Sequence, residues 1–205
     1  MNIIDIIIIA VIGIFVVLGY IRGFVNSIIS LAGIVLGVLF GRWFYEPAAA
    51  KLVASTNIQP SITNWVAQRI TPTMINDAAN INGPKPLADW FRNLIDISGG
   101  SVEQVSASIA ELIINALCFV AIFIVVIIII NLIGMLLNKF SQLRGINLLN
   151  KIGGLVVGLI KGALLCAVVV SVIYLFTAFN DTSTLGELMS QSSLANWFYI
   201  GNWIF

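Results

Sequence analysis

Histidine is missing from the 205 residues altogether. That removes the commonest general base and the commonest metal ligand. Cysteine is nearly missing too. Cys118 and Cys166 are the two present, each inside a long apolar run, so they form no Cys-His metal site and imply no disulfide framework. They read as ordinary thiols of an apolar interior, able to approach one another only if their helices lie side by side. Charge is scarce. Lysine, arginine, aspartate and glutamate make up 9% of the chain, against roughly 25% in an average soluble domain. A net charge of +1 argues against a nucleic-acid partner.

What is abundant is apolar. Hydrophobic residues make up 60% of the sequence, and the mean hydropathy is +1.05. Such a chain needs an apolar solvent, which is a bilayer. A bilayer core about 30 Å thick takes roughly 20 apolar residues as helix. Four stretches qualify: Ile3 to Ile21, Phe24 to Phe40, Leu112 to Leu137, and a run within Ile152 to Phe179. The first has Asp5 and no basic residue near its start, so it reads as a retained helix and not as a signal peptide. The expected fold is all-α: four transmembrane helices as two hairpins, with an external helical insert. The divisions are a first hairpin over 1–42, an external loop over 43–111, a second hairpin over 112–179 and an external tail over 180–205.

Two tight turns separate the spans, and both are basic. One carries Arg22; the other carries Lys139, Arg144 and Lys151. The residues before the first span and after Phe179 contain no lysine or arginine. The positive-inside bias therefore places both turns in the cytoplasm and both termini outside. The external loop holds all five prolines, Pro47 to Pro86, which mark breaks between short pieces. Amphipathic stretches lie between them: Ile62 to Ile70 with Trp65, and Leu87 to Ile97 with Trp90 and Phe91. They suit either a membrane interface or a small helical cap on the bundle. Ser101 to Glu111 is expected to lead continuously into the third span. The loop's acids, Asp77, Asp89, Asp96 and Glu103, are scattered among bases and read as a solvated face.

The fourth stretch is longer than a bilayer needs, and Lys161 stands in its middle. An ammonium held at mid-depth costs at least ~2.5 kcal/mol on insertion scales. The cheaper arrangement starts the embedded part near Lys161, which then snorkels to the cytoplasmic headgroups while Asn147 to Ile160 lies along the interface or dips in beside the bundle.

Helices in lipid associate through close backbone approach and hydrogen bonds. Gly33, Gly37 and Gly41 recur every four residues on the second span, and Gly154, Gly158 and Gly162 do so on the fourth. Each row leaves a groove for another helix, within the chain or in a homo-oligomer. Gly19 and Gly23 flank the first turn at the same spacing. Few polar residues stand in the spans: Asp5, Asn26, Ser27, Ser30, Asn115, Asn131 and Ser171. Asp5 falls at the outer boundary, where it stays hydrated or favours the helix N-terminus. Asn131 is the most embedded and suits a hydrogen bond to a neighbouring helix. Lys151 and Lys161 lie about 15 Å apart along a helix axis and roughly 80° apart around it. With Arg22 and Arg144 they are expected to form a basic cluster at the cytoplasmic rim, for anionic headgroups, for an acidic partner, or for topology alone. No catalytic, cofactor or metal motif is present, so the chain is expected not to be an enzyme.

Three stretches resemble the colicin V production protein family of membrane proteins. The first is Asp5 opening the first span, with Arg22-Gly23-Phe24 at the turn. The second is Asn150-Lys151-Ile152-Gly153-Gly154, followed by Gly158, Lys161 and Gly162. The third is the approach Ser192, Ser193, Leu194 to Trp197. The resemblance covers both hairpins and the tail but not 43–111. Lysine stands at 151 and 161 where arginine is frequent, and lysine lacks the bidentate fork. The resemblance implies an inner or plasma membrane protein linked to toxin production or export and to envelope homeostasis, with no known enzymatic activity, and no cofactor is expected. Its partners are then the lipid bilayer and other membrane or secretion proteins. A small oligomeric channel or transporter is the alternative.

Overall fold

The computed structural model describes residues 2–70, 89, 92–96, 101–140, 147–177 and 188–199, and all of its regular structure is helical. We number its helices α1 (Ile3–Arg22), α2 (Phe24–Ser55), α3 (Ile58–Ala67), α4 (Val102–Phe140), α5 (Asn147–Thr177) and α6 (Ser193–Phe198). Three helical stretches are long and apolar enough to cross a membrane: Ile3–Ser55, Val102–Gly134 and Leu148–Leu175. The outward faces of α1 and α4 carry large exposed side chains, among them Ile6, Ile14, Ile21, Val125, Ile128 and Leu132. In water such a surface would drive aggregation; against lipid tails it is matched.

The first stretch is broken at Gly23, where φ is +78° and ψ 173°, a combination open essentially to glycine. α1 ends there with the Gly23 N–H on the Gly19 carbonyl, 2.9 Å. Gly23 then begins α2 with no side chain to cap it. Asn150 of α5 supplies the cap, its Oδ1 accepting the Phe24 N–H at 2.8 Å.

Packing runs across the two expected hairpins. α1 lies chiefly on α5, and α2 lies on α4 and α5, whereas the consecutive pairs α1–α2 and α4–α5 touch little. The cause is in the glycines. A Cβ built on Gly19 would strike the Gly154 carbonyl and stand 2.9 Å from the Gly158 Cα; one on Gly162 would stand 3.1 Å from the Ile12 Cα. The α1–α5 contact is thus backbone against backbone. On α2, Gly37 and Gly41 receive the rings of Phe123 and Phe119, and Gly33 receives Ile130. Both glycine rows are filled by helices of the same chain.

Three expected boundaries move. The second helix does not stop at Arg42: α2 runs 32 residues, straight through Pro47. Proline forfeits one ladder bond, but the turns beyond it are held on α4, where Ala49 packs with Ile114 and Cys118. Pro60 falls in the first turn of α3, where its missing N–H has no helical partner to lose. The fourth segment is not divided at Lys161. α5 is one helix of 31 residues, because Gly154 and Gly158 seat the part before Lys161 on α1.

α3 caps one end of the bundle. Val66 and Ile70 pack on Val105, Ile109 and Ile113 of α4, with Leu94 and Ile95 against the same cluster. Trp65 stays 47% exposed with the Arg69 guanidinium 3.9 Å from its ring centroid. Trp90, Phe91 and Asp77 lie outside the described residues. Cys118 and Cys166 are both free and buried, in different clusters, Cys118 with Ala49 and Cys166 with Ile4 and Ile8.

Candidate functional site

A cavity of about 550 Å³ opens where α1, α2, α4 and α5 meet near the Gly23 break. Asn26 and Ser30 face it from α2, one turn apart and so on one side of the helix. Asn131 and Gly134 face it from α4, and Lys161 from α5. Arg22 closes it from the end of α1. In its wall α4 comes close to α2 at Gly134, where a Cβ would meet the side chain of Ile29 at 2.5 Å.

A chain of hydrogen bonds crosses this site. Lys161 Nζ donates to Ser30 Oγ at 2.7 Å. Ser30 Oγ donates to Asn131 Oδ1 at 3.0 Å. Asn131 Nδ2 donates to the Ile127 carbonyl at 2.8 Å. The ammonium also stands 5.2 Å from the Phe15 ring centroid, within range of a cation–π attraction. The site therefore fixes a half-buried cation in one orientation within an apolar bundle.

Of the four basic residues singled out in the sequence, two line this cavity, Arg22 and Lys161. Lys151 does not; its Nζ lies 5.4 Å from the centroid of Tyr20. Ten residues of helix leave the two lysines about 80° apart, and that suffices to turn Lys151 from the cavity to the flank of α1. Arg144 lies outside the described residues. Snorkelling from a helix start is replaced by an internal hydrogen bond, because α5 continues a further fourteen residues before Lys161.

A second polar site sits at the opposite end of the bundle; the sequence singled out Asp5 and Ser192 in separate stretches without joining them, and Asp5, expected to be hydrated or to favour the helix N-terminus, is buried. Asp5 is 5% exposed. Its Oδ1 accepts from Ser192 Oγ at 2.5 Å and from the Leu194 N–H at 3.1 Å, and its Oδ2 accepts from the Asn2 N–H at 2.8 Å. Ser192 also caps α6, accepting the Ala195 N–H at 3.0 Å. The Tyr174 hydroxyl, fully buried on α5, lies 2.7 Å from the Met189 carbonyl and 2.8 Å from Asn196 Oδ1. Its single proton serves one of them at a time. Tyr199 packs edge-on against Tyr174, and burial pushes its phenol up to about 12. The signals in the sequence were a carboxylate inside an apolar run and a serine-rich tail, both within stretches that carry the family resemblance.

A smaller cavity of about 430 Å³ lies between α2, α3 and α4, with Glu46, Gln59, Glu111 and Asn115 in its wall. Among the described residues no three histidine, cysteine, aspartate or glutamate side chains cluster to hold a metal.

Searches of curated proteins and of solved structures return no match to the chain. A family model does match, over residues 4–75 and 79–201. It takes in both glycine rows, the Asn150 cap, the Lys161 cavity and the Asp5 and Ser192 site. It also runs through most of 43–111, which the resemblance in the sequence had left uncovered. The chain belongs to the family described as colicin V production protein.

Proposed function

We propose that this chain is a non-enzymatic, four-span protein of the bacterial inner (plasma) membrane that supports production or export of a colicin V-like toxin and envelope homeostasis. The observation that carries the reading is the family match across nearly the whole chain. The four spans are α1, α2, α4 and α5. As one crossing, Ile3–Ser55 is far too long: its 53 residues extend about 80 Å as helix against a core of about 30 Å. The break at Gly23 divides it. Arg22, Lys139, Arg144 and Lys151 then face the cytoplasm, and Asp5 with the Ser192 tail faces outward. Single cysteines at positions 2, 80, 145 and 190, in a background lacking Cys118 and Cys166, test this. An impermeant thiol reagent should reach 80 from outside and not 145; the reverse overturns the orientation.

Deletion should lower toxin export and survival in detergent, and the wild-type chain should restore both. Unchanged export and unchanged survival would remove the basis for this role. The partners are the bilayer and other membrane or secretion proteins. Since both glycine rows are occupied within the chain, a homo-oligomer would join through other faces.

The polar cavity favours a second reading, a small oligomeric channel or transporter. Reproducible solute flux in reconstituted liposomes supports it; silent liposomes argue for the accessory role.

A further inference from the structure

No aspartate or glutamate stands between residues 6 and 45 or between 112 and 180. The segments that wall the Lys161 cavity, and the connection joining α4 to α5, therefore contribute no carboxylate. Arg22 and Lys161 line that cavity together, and neither has a carboxylate partner among the described residues. Lys161 spends one of three ammonium protons on Ser30. From Ser30 the network passes to Asn131 and ends on the Ile127 carbonyl, so it orients the cation without neutralising it. Charges inside a membrane protein are ordinarily paired. Among the described residues no carboxylate supplies the countercharge of Lys161, so the cavity is open to one from outside the chain.

We propose that the cavity binds the phosphate group of a phosphoester. A phosphate carries one or two negative charges and several acceptor oxygens, which suits an ammonium and a guanidinium set around one space. The cavity, at about 550 Å³, is far larger than a bare anion. Ile29 and Gly134 leave its remaining wall apolar, so there is room for an organic body attached to the phosphate. The ligand is either the headgroup of an anionic lipid or a soluble phosphoester. The inference stands apart from any role in toxin production.

The test uses the full chain in nanodiscs of phosphatidylcholine. In one arm phosphatidylglycerol is added and its retention is read by native mass spectrometry. In the other, glycerol 3-phosphate is titrated by calorimetry at constant ionic strength. Wild type should bind at least one of the two, and Lys161→Met should weaken that binding about tenfold or more, the loss typical of a charge-assisted contact. Lys161→Arg should bind like wild type, and Arg42→Gln, at the far end of the bilayer, should change nothing. Retention of phosphatidylglycerol alone assigns the lipid; a glycerol 3-phosphate response alone assigns the soluble ester. Circular dichroism checks that Lys161→Met folds; if it does not, Arg22→Gln, at an exposed position, takes its place. Absence of binding by wild type in both arms, or equal binding by wild type and the folded cavity variant, overturns the proposal.

Discussion

Ser192 donates its hydroxyl proton to the carboxylate of Asp5 across 187 positions of sequence. The same hydroxyl oxygen accepts the Ala195 N–H and so starts α6. One serine thus caps a short helix and fastens it to the first turn of α1. A helix of six residues has too few internal bonds to persist alone, so its order depends on this docking and on burial of Ala195 and Phe198 beside Tyr174.

Replacing Asp5 by asparagine should loosen the docked tail without unfolding the bundle. Either orientation of the new amide sets its Nδ2 against an N–H, that of Leu194 at the Oδ1 position or that of Asn2 at the Oδ2 position, and the neutral group is a weaker acceptor for the tail than the carboxylate. Limited proteolysis of the 188–199 segment should accelerate roughly tenfold, while protection of α1 to α5 is kept. Ser192→Ala should act in the same direction, at about 1 kcal/mol for a lost N-cap. Unchanged cleavage in both variants would mean that the segment is held by its apolar contacts alone.

Asn150→Ala should destabilise the Gly23 break. It leaves the Phe24 N–H without its acceptor, a loss of about 1 kcal/mol. Asn150→Asp keeps the acceptor and should be milder. Thermal unfolding in a fixed detergent distinguishes the two, and equal midpoints for wild type and Asn150→Ala would deny the cap.

The apolar spans were legible in the sequence because they depend on composition and run length alone. Which helix meets which was not. Ser30 and Asn131 are 101 positions apart and bond to each other, and no spacing rule reaches that far. Their burial was foreseeable only as polar residues in apolar runs. Pro47 read as a break because proline costs a ladder bond; packing on Ile114 and Cys118 overrode that local preference. Lys161 read as a snorkelling residue because solvation by headgroups is cheaper than burial. The hydroxyl that makes its inward position tolerable belongs to α2, and that placement is a tertiary fact.

Gly19→Ala should be severe and Gly13→Ala silent. Both glycines lie on α1, so helix propensity favours alanine equally at each. At Gly13 an added Cβ meets nothing within 4 Å. At Gly19 it meets backbone atoms of Gly154 and Gly158, which cannot turn aside, so α1 and α5 must separate. We expect Gly19→Ala to cost about 1–3 kcal/mol and Gly13→Ala to be neutral or slightly stabilising, read as unfolding midpoints in detergent. Equal midpoints would show that the two helices do not touch at these glycines.

The α2–α4 contact should respond differently, because its glycines meet side chains. A Cβ on Gly41 would stand 2.7 Å from the Phe119 ring, and one on Gly37 would stand 2.9 Å from the Phe123 ring. The two rings are stacked with centroids 6.0 Å apart, so neither swings away without disturbing the other. Gly41→Ala alone should therefore overpack the interface, at about 1–3 kcal/mol. Phe119→Leu alone should leave a void and also destabilise. Together they should cost less than the sum, since the smaller side chain makes room for the new methyl group. A double-mutant cycle on unfolding free energy measures that coupling, expected at about 0.5–3 kcal/mol in the favourable direction. The same cycle pairing Gly41→Ala with Ile128→Leu, an exposed position on α4, should be additive. If the Gly41 and Phe119 substitutions also prove additive, Phe119 does not fill the groove that Gly41 leaves on α2.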